Sequence, residues 1–249
     1  MIKIRGLKKS FGNLEILKGV DLDAIEGKTT VIFGVSGGGK STIIKHIVGL
    51  LKPNSGSIFV DGKDIVTLNE KELRVERKNI GFLFQNGALF DSMNVFDNVA
   101  FPLVEHTNMS KKEIEKIVFE KLEMVGLNPI RVTKLFPDEL SGGMKKRVGL
   151  ARTIALNPKI LLYDEPTSGL DPVTSDLIST MIKTLQNEIK TTSILISHDV
   201  KESFKVGDYF AMLFDGKIVE YADNESFKNS KNEVVRQFID GLSEGPIEF

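Results

Sequence analysis

Residues Gly34–Thr42 read GVSGGGKST, and this stretch decides how the whole chain is interpreted. It fits the P-loop pattern G-x-x-x-x-G-K-[ST] and lies between a predicted buried strand and a predicted helix, as that motif requires. Glycines let the backbone wrap around a phosphate with its N–H groups pointing inward, and the helix N-terminus attracts the anion further. A glycine-rich loop with an accidental lysine is the alternative, but the complete pattern in this setting argues against it. The loop therefore predicts a nucleoside triphosphate site.

Two side chains of this loop carry the chemistry that a triphosphate needs. We expect Lys40 to reach the β- and γ-phosphates and the Ser41 hydroxyl to bind Mg²⁺. The nucleotide-binding residues predicted in the loop are Gly34, Ser36, Gly37, Gly38, Gly39, Lys40, Ser41 and Thr42.

The composition excludes several other classes of protein. With 249 residues, 41% hydrophobic and 27% charged, the chain is large enough for one α/β domain with a substantial core. Its net charge of −1 argues against a nucleic-acid partner, and the absence of cysteine excludes disulfides and thiol catalysis. No apolar run approaches the ~18–20 residues that cross a bilayer, and the N-terminus lacks a signal-peptide core. We therefore expect a cytoplasmic chain, and if it acts in a membrane process the membrane part must come from another chain.

The pattern of the chain predicts a β-rich N-terminal part, a helical insertion and a return to alternating strands and helices, which favours a mostly parallel sheet. We predict a single domain over residues 1–242, with residues 85–157 as an inserted helical subdomain and residues 243–249 as a C-terminal tail. The stretch Asp240–Phe249 is expected to lie outside the core. The predicted strands are Ile2–Phe11, Leu14–Ile25, Thr29–Gly34, Ser57–Val60, Ile80–Phe84, Ile160–Asp164, Thr192–Ser197, Phe210–Phe214 and Lys217–Tyr221. The predicted helices are Lys40–Leu51, Lys111–Val125, Ser141–Leu156, Pro172–Lys190 and Lys201–Val206.

Two adjacent acids follow the apolar strand ILLY, at the edge of the sheet where ligands bind in such folds. Asp164 suits Mg²⁺, which keeps much of its water shell in protein sites. Glu165 suits a general base that polarises the attacking water. A solvated turn is the alternative for adjacent acids, and the upstream P-loop favours catalysis instead.

Two further polar residues are predicted at strand ends. His198 follows TTSILIS, where a neutral imidazole can hydrogen-bond the γ-phosphate and help to hold Glu165 and the water in line. Gln85 follows NIGFLF, where its amide can contact both Mg²⁺ and water. A strand-end histidine satisfied by the backbone and a polar strand cap remain the alternatives for these residues.

Together these motifs resemble those of the nucleotide-binding subunits of ABC transporters, and the resemblance covers nearly the whole chain. GVSGGGKST is similar to Walker A, ILLYDE to Walker B, Gln85 to the Q-loop, His198 to the switch histidine, Leu140–Met144 (LSGGM) to the ABC signature and Ser168–Asp171 to the D-loop. The signature is the specific element, because P-loops occur in many unrelated enzymes. The resemblance implies the P-loop NTPase fold of ABC ATPases, with ATP and Mg²⁺ as cofactors and Lys40, Gln85, Glu165 and His198 as catalytic residues.

The resemblance also implies a head-to-tail homodimer with two ATP molecules between the subunits. Ser141, Gly142 and Gly143 then contact the nucleotide held by the other subunit, and Asp171 belongs to the nucleotide-binding set. Phe11 occupies the position of an aromatic residue that stacks on adenine, with a core strand residue as its alternative. The metal-binding residues implied are Ser41, Gln85 and Asp164.

The signature departs from the usual family pattern in one residue, since Met144 stands where glutamine is common. The wording of three stretches, GALFDSMNVFDNVAFPL, LSGGMKKRVGLAR and LLYDEPTSGLDP, resembles that of ATPases in Mla/Mce-type lipid transport systems, and Met144 agrees with that subgroup. The tail FIDGLSEGPIEF is also similar to their C-terminal extension, which implies packing on the opposite subunit; a disordered tail is the alternative.

This subgroup implies an ATPase at the cytoplasmic face of a bacterial inner membrane. It drives an integral membrane permease and works with lipid-binding components and a small regulatory subunit. Apolar residues after Gln85 are expected to form part of the helical core and part of a groove for the permease. An ABC subunit for another solute, such as an amino acid or a lipoprotein, is the second interpretation. ABC ATPases acting on DNA or ribosomes are disfavoured by the single cassette and short insertion, and a regulator without hydrolysis is disfavoured by the presence of Glu165 and His198.

Overall fold

The computed structural model describes residues 2–248 of the chain. These residues form two compact units, one built from the chain up to Arg74 and from Thr192 onward, and the other from Val75–Thr191. The strands are β1 Ile2–Phe11, β2 Leu14–Ala24, β3 Thr29–Phe33, β4 Ser55–Val60, β5 Lys63–Asp64, β6 Ile80–Leu83, β7 Ile160–Asp164, β8 Thr192–Ile196, β9 Tyr209–Phe214 and β10 Lys217–Asp223. The helices are α1 Lys40–Ile47, α2 Glu70–Arg77, α3 Val95–His106, α4 Lys111–Met124, α5 Pro129–Val132, α6 Gly142–Thr153, α7 Pro172–Ile189, α8 Val200–Val206, α9 Asn224–Lys228 and α10 Glu233–Asp240, with a 3₁₀ turn at Pro137–Glu139.

The first unit contains an antiparallel sheet and a parallel set of strands. The antiparallel sheet has four strands in the order β2-β1-β4-β5, and Phe11 pairs with Leu14 across the Gly12-Asn13 turn that the sequence predicts. Strand β3 pairs in parallel with β8 on one side and with β9 on the other, and β10 adds to β9 in antiparallel orientation. All five residues of β3 and of β8 are buried, as expected for central parallel strands.

An aromatic cluster fixes the end of β3 in this unit. Phe33, the last residue of the strand, has four phenylalanine rings with centroids 5.3–6.0 Å from its own. Aromatic pairs at such distances stabilise a core beyond the area that they bury. These rings come from α8, β9, α9 and α10, namely Phe204, Phe210, Phe227 and Phe238. Because the P-loop begins at the next residue, this cluster anchors its first glycine.

The second unit contains the parallel pair β6–β7 and the helices α3 to α7. Among the described residues, all regular structure between positions 85 and 157 is helical. The compact unit includes more of the chain than the predicted insertion, because it also contains β6, β7 and α7. The α/β fold class predicted from the sequence is confirmed.

Most predicted elements agree with the structure to within a few residues at each end, and β1 and β7 agree in both bounds. Five helices were not predicted, namely α2, α3, α5, α9 and α10. No helix among residues 2–248 combines the length and the apolar character that a bilayer crossing requires.

Candidate functional site

The P-loop adopts the strand–loop–helix arrangement that its motif requires. Gly34 leaves β3 with a φ of +152°, and a Cβ atom here would lie 2.5 Å from the carbonyl oxygen of Leu213. Gly39 has a φ of +97° and precedes α1, and its Cβ would lie 2.7 Å from Ile16. Both ends of the loop therefore require glycine, because neighbouring strands approach the backbone too closely for a side chain.

Lys40 lies inside the curve of the loop. Its side chain is buried, and its Nζ atom donates to the carbonyl oxygens of Gly34 at 2.7 Å and Val35 at 2.8 Å. The ammonium group thus holds the start of the loop close to the start of α1. This places a cation at the point where successive N–H groups attract phosphate.

A pocket of about 440 Å³ lies beside the P-loop within the first unit. Its walls include Gly34–Ser36 of the loop and His198, which is exposed just after β8. The structure therefore brings together the two parts of the first unit that the sequence predicts at the phosphate end of the site. The opposite wall is formed by α10 and the residues that follow it, which the sequence did not place here.

The C-terminal tail is packed against this pocket. Ile247 is buried, and the amide side chain of Gln237 clamps its backbone by accepting from its N–H at 2.7 Å and donating to its carbonyl at 3.1 Å. A Cβ at Gly245 would lie 2.5 Å from the Gln237 side chain, so glycine allows this close approach. The prediction that the tail lies outside the core is therefore wrong for Ile247. The final predicted tail residue, Phe249, lies outside the described residues.

The second unit holds the predicted acidic pair. All five residues of β7 are buried, which delivers Asp164 to the end of the strand with 9% of its surface exposed. Glu165 follows in a left-handed conformation with a φ of +50° and is half-buried. A non-glycine residue in this region is uncommon and costs of order 1–3 kcal/mol unless its surroundings hold it.

Gln85 lies next to the predicted general base. Its Nε2 atom donates to the Oε2 atom of Glu165 and to the hydroxyl of Ser168, each at 3.2 Å. The amide is therefore in position to orient the carboxylate. The sequence predicted both residues at strand ends but did not predict this direct hydrogen bond.

The signature stretch forms the start of α6. Ser141 caps the helix by accepting from the Met144 N–H at 3.3 Å, and the following glycines open its first turn. This exposes helix N–H groups next to small residues, which is a ready anion site. Asp171 likewise caps α7, accepting from the N–H groups of Val173 and Thr174 at 3.0 Å each. Its carboxylate is used as a helix cap, and its predicted nucleotide contact remains a prediction.

Two basic residues of α6 were not predicted from the sequence to belong to the site. Lys146 is buried and donates to the carbonyl oxygens of Ser168 at 2.6 Å and Glu165 at 3.4 Å. Arg152 donates to the carbonyl oxygen of Gly87, just beyond the Q-loop glutamine, at 2.8 Å. Burial lowers the pKa of both groups, and the nearby Glu165 carboxylate opposes that shift for Lys146. One helix thus contacts both the Q-loop and the loop after Walker B.

Phe11 ends β1 with 48% of its surface exposed, so its alternative as a core residue is wrong. The ammonium of Lys9 lies 5.2 Å from its ring centroid. An exposed aromatic face at a strand end is suited to stacking on a base.

The three predicted metal-binding residues all offer oxygen donors, namely the hydroxyl of Ser41, the amide of Gln85 and the carboxylate of Asp164. Among residues 2–248 no group of three or more His, Asp or Glu side chains is arranged to hold an ion. The oxygen donors of these three residues fit Mg²⁺, which binds through one or two protein oxygens together with nucleotide phosphates and water.

The family profile described as ABC transporter matches residues 17–168, a stretch that contains the P-loop, the signature and Walker B. The chain belongs to the ABC transporter family. As a member it carries the family's ATP-hydrolysing cassette, and ATP is its nucleotide.

Relatives of this ABC chain extend over its full length. It is 43% identical to the intermembrane phospholipid transport system ATP-binding protein MlaF of Haemophilus influenzae, over 100% of this chain and 94% of that protein. It is 47% identical to the probable ribonucleotide transport ATP-binding protein mkl of Mycobacterium leprae, over 99% of this chain and 70% of that protein. A dimeric ATP-binding cassette solved in a post-hydrolysis state with ADP and Pi has a TM-score of 0.83 and 34% identity, over 90% of this chain and 99% of that one.

Proposed function

We propose that this chain is the ATP-hydrolysing subunit of a phospholipid transporter, acting as a homodimer on a separate membrane permease. The observation that carries the proposal is the similarity to the phospholipid transport protein MlaF, which extends over 100% of this chain and 94% of that protein. The mycobacterial relative, named for ribonucleotide transport, supports a second candidate cargo, although this chain spans a smaller share of it.

The geometry of each unit suits hydrolysis. Glu165 polarises the attacking water, and Gln85 holds its carboxylate through the 3.2 Å hydrogen bond. Lys40 and the P-loop N–H groups bind the phosphates, and His198 donates to the γ-phosphate. We propose Ser41, Asp164 and Gln85 as the residues that hold Mg²⁺, which supplies neutralisation of phosphate charge when it is bound.

The chemistry of the signature supports the proposed dimer. Ser141, Gly142 and Gly143 present helix N–H groups and a hydroxyl but no group that can act as a base. Supplied by a second copy of the chain, they add donors to the γ-phosphate and exclude water from it. We propose a single domain over residues 1–242 with an insertion at residues 85–157, and the signature lies within this insertion.

Exposed apolar side chains on helices and loops of the second unit support a permease-binding surface. Phe90, Val104, Met109 and Ile130 have 41%, 59%, 42% and 83% of their surface exposed. The loop carrying Phe90 is held by Asn98, which is fully buried and bonds its N–H and its carbonyl. We propose that these exposed apolar side chains contact a helix of the permease at the cytoplasmic face of the inner membrane.

The dimer is tested with Glu165→Gln, which keeps the shape of the side chain and removes the base. We expect ATP binding to persist, turnover to fall by at least about 100-fold, and a dimer to accumulate with ATP. Light scattering after size-exclusion chromatography measures the mass, with ADP as the control. A monomer in ATP contradicts the homodimer.

The cargo is tested on the complex purified from membranes through a tag on this chain. We expect phospholipid in organic extracts of the complex and stimulation of its ATPase by phospholipid vesicles. Stimulation by ribonucleotides instead would favour the second candidate. The same preparation identifies the permease, any lipid-binding component and any small regulatory subunit by mass spectrometry.

A further inference from the structure

Helix α6 connects the signature to the loop that carries the catalytic base. Its N-terminus holds Ser141, and Lys146 follows within the next helical turns. Lys146 has 5% of its surface exposed, which is rare for a lysine unless its charge is matched. Within residues 2–248 its hydrogen-bond partners are main-chain carbonyl oxygens, and the opposite charge near it is Glu165.

The carbonyls that Lys146 contacts belong to a strained segment. Glu165 has a φ of +50°, a conformation that persists only where its surroundings determine it. Lys146 contacts the Glu165 carbonyl at 3.4 Å and the Ser168 carbonyl at 2.6 Å, so the ammonium spans the turn between them. On the other side of the turn, Gln85 spans the Glu165 carboxylate and the Ser168 hydroxyl. The base is thus held by a cation through its backbone and by an amide through its side chain.

We propose that Lys146 is a positioning residue that ties the signature helix to the Glu165 of its own chain. This inference rests on the proposed homodimer. There the signature of one chain closes on the nucleotide of the other chain, whereas Glu165 acts on the nucleotide of its own chain. A shift of α6 caused by closure over one ATP therefore moves the support of the base at the other ATP. Lys146 couples the two sites within one polypeptide.

Homodimers of Lys146→Met test the positioning role. We expect kcat to fall by about tenfold or more, because a charge-assisted hydrogen bond to a strained turn is lost, while the KM for ATP and the thermal unfolding midpoint stay near wild type. Lys145→Met is the matched control, since Lys145 is the neighbouring lysine of the same helix and is less buried than Lys146. A wild-type kcat in Lys146→Met overturns the proposal, and so does an equal loss in the control.

Mixed dimers test the route of the coupling, using two affinity tags to purify the hetero-combination. In the split arrangement one chain carries Lys146→Met and the other carries Glu165→Gln, so the intact base lies in the chain that lacks Lys146. In the joined arrangement both substitutions are in one chain, so the intact base keeps its own Lys146 and meets an altered signature helix. The reference is wild type paired with Glu165→Gln.

We expect the split dimer to hydrolyse ATP about tenfold or more slowly than the reference, and the joined dimer to stay within about twofold of it. The reverse pattern assigns Lys146 to the signature alone and overturns the proposal, as does an equal effect in both arrangements. If Glu165→Gln homodimers turn over ATP at the wild-type rate, Glu165 is not the base. That result removes the base that Lys146 is proposed to position and overturns the proposal, whereas a monomeric Glu165→Gln protein in ATP overturns the proposed homodimer.

Discussion

The Nε2 atom of Gln85 donates to the Oε2 atom of Glu165 at 3.2 Å, joining the end of one strand to the end of its parallel neighbour. Both residues follow strands whose carboxyl ends meet at one edge, so the bond is a direct result of the parallel pairing of β6 and β7. It orients the carboxylate without neutralising it, which suits a general base.

Gln85→Ala removes this orientation and leaves the base in place. We expect kcat to fall by roughly 10–100-fold and the affinity for ATP to change little, because the lost interaction acts in the transition state. Steady-state ATPase assays and calorimetric ATP titration measure the two quantities. Asn86→Ala is the control, since this neighbour in the same loop is exposed. A loss of affinity with an unchanged kcat would contradict this role.

Lys40→Ala tests the phosphate end of the first unit. The ammonium bonds two carbonyl oxygens of the loop, so its removal takes away a charge and also releases the loop. We expect ATP affinity to fall by about tenfold or more, since hydrogen bonds to charged groups contribute about 1.5–3 kcal/mol. Calorimetry measures the affinity, and Lys45→Ala, on the exposed face of the same helix, should bind ATP as wild type does.

Gly143 shows how closely α6 and α7 approach each other. A Cβ at Gly143 would lie 2.6 Å from the Cγ2 methyl of Thr174, whereas a Cβ at Gly142 meets only Leu170 at 3.7 Å. Thr174 cannot turn away easily, because its side chain is β-branched and its hydroxyl donates to Asp171 at 2.6 Å. We therefore expect Gly143→Ala to cost about 1–3 kcal/mol in the free energy of unfolding.

Chemical denaturation measures this cost, with Gly142→Ala as the control for adding a methyl group in the same turn. The double variant Gly143→Ala with Thr174→Ser removes the clashing methyl and keeps the hydroxyl. It should recover most of the lost stability relative to Thr174→Ser alone. A double variant that stays as unstable as Gly143→Ala would show that the methyl contact is not the cause.

His46 gives the protein a pH-dependent stability. It is buried on α1 with its Nδ1 atom 2.7 Å from the Thr42 carbonyl oxygen, and burial lowers its pKa below the ordinary value of 6.5. The unfolded chain therefore binds a proton at a higher pH than the folded chain does. Stability is full above the unfolded pKa and is lost as the pH falls through about 6.5 towards the folded pKa.

His46→Gln should make the unfolding midpoint less sensitive to a change from about pH 7.5 to about pH 5.5 than it is in the wild type. Differential scanning calorimetry at the two pH values measures the difference. His106→Gln is the control, because it makes the same substitution at an exposed histidine at the end of α3. Equal pH sensitivity in all three proteins would contradict the assignment.

The tail clamp is tested with Gly245→Ala. The added methyl meets the Gln237 side chain at 2.5 Å, so we expect the clamp on Ile247 to open and the tail to be cleaved faster by proteases. Mass spectrometry of limited digests identifies the cleaved bonds. Gly62→Ala is the control, because its φ of +83° is also positive but its Cβ would meet open space. Equal protection of the tail in wild type and Gly245→Ala would contradict the clamp.

The sequence predicted the elements whose periodicity was simple. Strand β7 was predicted in full because four residues typical of a buried strand, ILLY, lead into an acidic pair. Helix α3 was missed because Pro102 lies within it and its first turns contain Val95, Phe96 and Val99, which are typical of strands. Asn94 caps this helix through the Asp97 N–H, and packing then overrides the weak propensity.

The site was predictable where a motif places a functional group at the end of an element, as for Lys40 and Glu165. Lys146 was not, because a lysine on a basic amphipathic helix is usually on a solvated face. The sequence contained one weak indication that Lys146 is buried, namely Gly149, which follows it at helical spacing on the same face. Its Cβ would lie 3.0 Å from Gly87, so this face of α6 lies against backbone and not against water.

The clamp between Gln237 and Ile247 also affects how the protein can be handled. Pro246–Glu248 line a second pocket of about 390 Å³ together with Gly37 and Gly38 of the P-loop. A label attached at the exposed Glu248 therefore starts at the rim of the nucleotide-binding loop. Labels attached there should report on nucleotide occupancy, and bulky ones should compete with it.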